Sequence, residues 1–262
     1  ASVEDDPLEV AAEIRRRLGF DVEARAQIPT WWEALRQFRA QVESIGVLVM
    51  SSSIVGNNTR RKLNLEEFRG FALVDRFAPL IFVNTADSKS GQMFTIAHEL
   101  AHVWAGASGV SDARVDAFPE DAFEKWCNQV AAELLVPLEV LREEYDSARE
   151  IHTELRRLAR TFKVSTLVVL RRLYEAGAID AEAFSTVYAQ ELQYLREVEK
   201  RTGQGGDFYA TLAVRVSPRF ARALVASTLE GITLFRDAYR LLGVRNPETF
   251  RRLARDLNFE VP

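Results

Sequence analysis

Apolar residues recur at helical spacing in two stretches before residue 45, and then short continuous apolar runs take over. Residues 6–18 read as a helix, with Asp6 as N-cap, Pro7 at the first helical position and Gly19 just past the end. A second helix starts at Thr30, with Glu33 at capping-box spacing, and turns Trp31, Trp32, Leu35, Phe38 and Val42 toward a core. From Ile45 the period changes. Residues 45–50 (IGVLVM), 70–75 (GFALVD) and 79–84 (PLIFVN) read as buried strands, and Gly56-Asn57-Asn58 is turn chemistry. Residues 85–91 read as a loop leading into FTIAHELAHVWAG at 94–106, a single helix that Gly106 ends. Beyond it the reading is a loop over 107–119 and a helix opened by Pro119 and Glu120 that stops before Pro137. A short helix over 137–145 comes next. Residues 148–177 read as helix, turn, helix, and 181–201 as one more amphipathic helix. After the Thr202–Gly206 hinge the chain is helical to its end, with breaks near Pro218, Gly231, Gly243 and Pro247.

This order of elements predicts an α+β fold that is mostly α-helical. A small β-sheet of about three strands packs on the helix of residues 94–106, and an all-helical C-terminal half follows. Three units are expected: 1–140 around that helix, 141–178 as a helix-turn-helix-like segment packed on it, and 179–262 as a helical domain with a regulatory or sensory role. An exposed edge of the sheet is a place to align an extended peptide.

Composition narrows the picture in three ways. A single cysteine, Cys127, excludes an internal disulfide framework. No apolar run approaches the ~20 residues that cross a bilayer, and the acidic start ASVEDDPLEV is no signal peptide. The chain is therefore expected to be soluble and cytoplasmic, without a membrane partner. Its net charge of −4 argues against nucleic-acid binding by the chain as a whole. Residues 148–177 are locally basic through Arg156, Arg157, Arg160, Lys163, Arg171 and Arg172, which leaves a DNA contact there as the weaker alternative to a helical pair packed on the core.

The chemistry concentrates in His98-Glu99-Leu100-Ala101-His102. Histidines four residues apart on a helix share one face, about one turn apart, and two neutral imidazoles aimed at one point can hold a metal. Glu99 beside them is placed to take a proton from water. A catalytic zinc site needs a third protein ligand. The longer pattern H-E-x-x-H-x-x-G-x-x-H fails, because Ala105 and Ser108 stand where it needs glycine and histidine. Carboxylates on the next helix remain: Glu120, Asp121, Glu124 and Glu133. Glu124 ranks first because Asn128, one turn on, can accept a hydrogen bond from the far nitrogen of a ligating histidine. Glu133, nine residues from Glu124, points the opposite way. Zinc suits this set, and manganese or iron fit the same ligands.

FTIAHELAH, then Glu124-Lys125-Trp126-Cys127-Asn128, then Ala131-Ala132-Glu133-Leu134-Leu135-Val136-Pro137, resemble in order and spacing the ImmA/IrrE-type zinc metallopeptidases over residues 30–140. The resemblance implies one Zn2+ per chain on His98, His102 and Glu124, with Glu99 as general base. It also implies a bacterial cytosolic endopeptidase whose protein substrate is a cognate helix-turn-helix repressor, cleaved to switch on stress or mobile-element genes. Many longer members carry an N-terminal helix-turn-helix. Nothing in residues 1–29 matches one, so such a domain is absent or lies upstream. The C-terminal half looks like the extension of those longer members. The alternative function is a DNA-binding or ligand-sensing regulator that retains the peptidase fold. An additional oxyanion donor is expected, with His152, Tyr145 and Tyr209 as candidates. Cys127, three residues after Glu124, is a candidate redox-sensitive neighbour of the metal, set against its reading as a small core residue.

Overall fold

The fold is that of a computed structural model, which describes residues 1–55, 58–111, 121–201 and 215–260. Helix α1 (Pro7–Leu18) begins as the sequence indicates: the Asp6 carboxylate accepts from Leu8 N at 2.9 Å, and Gly19 closes the helix in the left-handed region. A short helix α2 (Val22–Ala26), capped by Asp21, has too few residues to show a period and was not anticipated. Helix α3 (Trp31–Ser44) starts at Thr30, whose hydroxyl accepts from Glu33 N at 3.1 Å. Its buried stripe is Ala34, Leu35, Phe38 and Val42. The two tryptophans do not join that stripe: Trp32 is 48% exposed under the Arg36 guanidinium, and Trp31 is half-buried beside the Lys163 ammonium. Their amphipathic rings serve as cation platforms at the helix start.

Six strands follow: β1 (Leu48–Ser52), β2 (Ile54–Val55), β3 (Asn58–Lys62), β4 (Gly70–Leu73), β5 (Leu80–Asn84) and β6 (Gly109–Ser111). The main sheet has the order β1-β5-β4-β6. β1 runs parallel to β5, with Leu48 opposite Leu80, while β4 runs antiparallel to both β5 and β6, with Gly70 opposite Val83 and Ser111. β2 and β3 form a separate antiparallel ribbon. The three strands read from sequence are β1, β5 and β4. β6 falls where a loop was expected; three residues cannot display alternation. β3 is exposed throughout, and its sequence NTRRK offers no apolar signal. The turn residues Gly56 and Asn57 lie outside the described residues.

Helix α4 (Lys89–Ala105) starts within the segment expected to be a loop, because Ser88 caps it by accepting from Gly91 N at 3.0 Å. Every residue from Gln92 to His102 is buried, so this helix runs through the core rather than along its surface. Its start is tied to β4 by the Arg69–Asp87 ion pair at 2.6 Å. Helix α5 (Ala122–Leu135) is capped by Asp121, and α6 (Leu138–Glu144), α7 (Ile151–Phe162), α8 (Thr166–Glu175) and α9 (Ala181–Arg201) follow. One core joins α1, α3, β1, β5, α4, α5, α7 and α8, extending from Val10 to Val187.

The C-terminal end of α5 is buried, so its last carbonyls need donors. Three guanidinium groups supply them: Arg15 donates to Glu133 O, Arg25 to Leu135 O, and Arg172 to Val136 O. Arg172 also pairs with the Glu133 carboxylate, both side chains nearly inaccessible. Positive charge at the negative end of the helix adds to the effect. Three further helices, α10 (Pro218–Leu229), α11 (Phe235–Leu242) and α12 (Pro247–Asp256), enclose a second, smaller core. Among the described residues no helix is long and apolar enough to cross a membrane.

Candidate metal centre

α4 and α5 pack side by side, which sets one turn of α4 against the first turn of α5. His98 and His102 project from α4 with ring centroids 4.9 Å apart and their Nε2 atoms at 3.1 Å. Glu124 reaches them from α5: one carboxylate oxygen lies 3.1 Å from His98 Nε2 and the other 3.3 Å from His102 Nε2. The Asp121 cap accepts from both Phe123 N and Glu124 N, fixing the turn that aims Glu124. Phe123 presents its ring edgewise to His102 at 5.0 Å.

The donor set fits a divalent cation. His98 Nδ1 donates to Asn128 Oδ1 at 2.9 Å, which leaves the Nε2 lone pair directed at Glu124 and His102. A lone pair facing an anionic oxygen is repelled unless a cation or proton lies between them. A tetrahedral ion with bonds of about 2.0–2.1 Å has ligand atoms about 3.3 Å apart, close to all three separations. Among the described residues His98, His102 and Glu124 are the group able to hold a metal in this way. Residues 112–120 lie outside the described residues, so Glu120 is not placed. Asp121 is occupied as a cap, and Glu133 serves Arg172 at the far end of α5.

Glu99 is fully buried, one residue from His98. The sequence did not single out what covers it. A Cβ at Gly70 would stand 3.3 Å from Glu99 Oε1, 2.4 Å from Thr95 Cγ2 and 2.7 Å from Phe82 O. β4 therefore lies directly on α4 at the HExxH turn, and only glycine fits at the point of contact. A glycine opening an apolar strand is the signal that could have disclosed it.

Both ring nitrogens of His152 are engaged on α9, Nδ1 with Glu191 at 2.7 Å and Nε2 with Gln190 at 2.9 Å. This engagement removes His152 as an oxyanion donor. Tyr145 follows α6, half-buried near Glu154 and Asp146, and desolvation pushes its hydroxyl pKa up. Tyr209 lies outside the described residues. Cys127 is fully buried, and burial followed by the charges of Glu124, Glu99 and Asp121 pushes its thiol up. A redox neighbour needs an accessible thiolate, so the environment of Cys127 is that of an inert core residue instead.

A buried helix bearing H-E-x-x-H and a carboxylate from the following helix together define a metallopeptidase-like centre. The comparison with family models places it: residues 42–174 match Peptidase M78, the IrrE N-terminal-like domain, and the chain belongs to that peptidase family. A second model, a domain of unknown function (DUF8813), matches residues 216–256. No curated protein matches the chain.

Proposed function

We propose that this chain is a zinc-dependent endopeptidase acting in the bacterial cytosol on a cognate regulatory protein, a helix-turn-helix repressor. The observation that supports it most is the convergence of His98, His102 and Glu124 within reach of one ion, next to a buried Glu99. Zinc held by these three residues supplies a Lewis acid for the scissile carbonyl and lowers the pKa of water toward about 7. Asn128 fixes the tautomer and orientation of His98 through Nδ1. The Glu99 carboxylate takes one proton as water oxygen bonds to the carbonyl carbon. It delivers that proton to the amide nitrogen as the C–N bond breaks. Gly70 lets β4 approach the same helix turn, and among the described residues the sheet order leaves β1 and β6 as its edges, of which β6 pairs with β4 at Gly70. An edge of this sheet can align an extended substrate segment.

The test is Glu99→Gln, an isosteric change that removes the base. Incubated with a co-encoded helix-turn-helix repressor, wild type cleaves it and Glu99→Gln does not, with turnover lowered by at least about 10²-fold. Zinc content stays the same in both. Cleavage by Glu99→Gln at the wild-type rate contradicts the assignment of the base.

A further inference from the structure

The three C-terminal helices turn their arginines away from their own core. Residues 215–260 carry nine arginines, no lysine and five acidic residues, in a chain whose net charge is −4. The unit is held from within by Ala221, Val225, Ala238, Leu242, Phe250 and Ala254. Phe250 of α12 packs its ring against Phe235 at 5.5 Å and Tyr239 at 5.4 Å, which fixes α12 on α11.

The connection between α11 and α12 is four residues, Gly243 to Asn246. Gly243 is left-handed with φ 69°, Val244 turns inward to 6% exposure, and the Asn246 carbonyl oxygen Oδ1 accepts from Thr249 N at 2.8 Å. A four-residue turn that contains glycine and a buried apolar residue has the length and composition of a helix-turn-helix connection. In DNA-binding pairs of this kind the second helix enters the major groove. On α12 the exposed side chains Glu248, Arg251, Arg252 and Arg255 fall within an arc of roughly 100°, with exposed Asp256 about 40° beyond Arg252, on the far side from Phe250 and Ala254. Among the described residues Arg245 and Arg251 form no ion pair.

A row of solvated arginines alone would say little. Here it stands on the second helix of a tight-turn pair, with one further arginine in the turn. We infer that α11–turn–α12 is a helix-turn-helix that binds double-stranded DNA, with α12 as the groove-reading helix. Arg251 and Arg255 reach base edges, where guanidinium pairs with guanine O6 and N7, and Arg245 contacts phosphate. This goes beyond the peptidase reading and does not depend on the metal centre.

The test is fluorescence anisotropy of a labelled duplex of about 30 base pairs and random sequence, titrated with the full chain at about 50 mM salt and again at higher salt. Wild type binds, with affinity falling as salt rises. Arg251→Ala with Arg255→Ala weakens binding by at least about tenfold, and Arg245→Ala lowers the salt slope by about 1. Arg156→Ala with Arg160→Ala, which removes equal charge from the exposed face of α7, changes affinity by less than about twofold. Absence of binding at the lower salt overturns the proposal. Equal weakening by the two pairs also overturns it, since the attraction is then general electrostatics. So does absence of DNA binding together with self-association abolished by Leu234→Asp, because the exposed Ile232, Leu234 and Phe235 then mark a protein partner.

Discussion

Two helix pairs in this chain, α7–α8 and α11–α12, have the same outline: two helices, a turn of three or four residues, and many arginines. They differ most in the second helix of each pair; in the first helices Arg156 and Arg160 of α7 are exposed, and Arg236 and Arg240 of α11 lie near Asp237. In the first pair Arg157 is bound to Glu154 and Glu144, Arg171 to Glu175, and Arg172 is buried on Glu133. Val168, Val169 and Leu170 of α8 are buried as well, so the second helix of that pair is a core element packed with α6, α7 and α9. In the second pair Glu248, Arg251, Arg252 and Arg255 face solvent. Local sequence specifies the helix pair; the partner of each arginine decides whether it braces the fold or faces outward.

The largest expected effect tests the bracing role. Arg172→Ala removes the main partner of the buried Glu133 carboxylate, leaving it Leu138 N and Arg15 at 3.9 Å, and should cost about 3–5 kcal/mol in chemical denaturation, against a change within about 0.5 kcal/mol for Arg251→Ala. Similar costs at the two positions would erase the contrast between the pairs. Next comes Gly70→Ala. The added methyl meets Thr95 Cγ2 and Phe82 O below contact distance, and a loss of about 1–3 kcal/mol is expected, with cleavage lowered beyond what the lost stability explains. Wild-type cleavage by Gly70→Ala would remove β4 from the site.

A smaller effect concerns pH. The hydrogen bond to Glu191, aided by Gln190 and by Glu150 at the start of α7, raises the pKa of His152, while desolvation opposes it. A raised folded-state pKa stabilises the protein fully below the unfolded value of about 6.5, and the contribution is lost as pH rises through the folded value. The stability difference between wild type and His152→Gln should therefore shrink as pH rises above about 6.5. A difference that is constant with pH would mean that His152 is not charged against Glu191.

Much of the site was legible because its chemistry is local. His98 and His102 share a helix face by spacing alone, and Asn128 stands one turn from Glu124 for the same reason. The helix caps at Asp6 and Thr30 were legible likewise. What escaped was non-local or unpatterned. β3 carries no apolar residue, β6 is three residues long, and the closeness of Gly70 to Glu99 exists only once the strand lies on the helix. Trp31 and Trp32 fit the helical period yet stay outside the core, because a cation over each ring stabilises an exposed position. The outward face of α12 was likewise invisible in overall charge, since an acidic chain conceals a basic segment.

The account rests on one ion shared by α4 and α5. The most direct measurement is the zinc content of purified wild type and of Glu124→Ala, by mass spectrometry of the metal after equal zinc supply and desalting. One zinc per wild-type chain and less than about a tenth of that in Glu124→Ala is the expected result, since loss of one of three protein ligands leaves too weak a site to survive desalting. Full zinc retention by Glu124→Ala, or none in wild type, would contradict it.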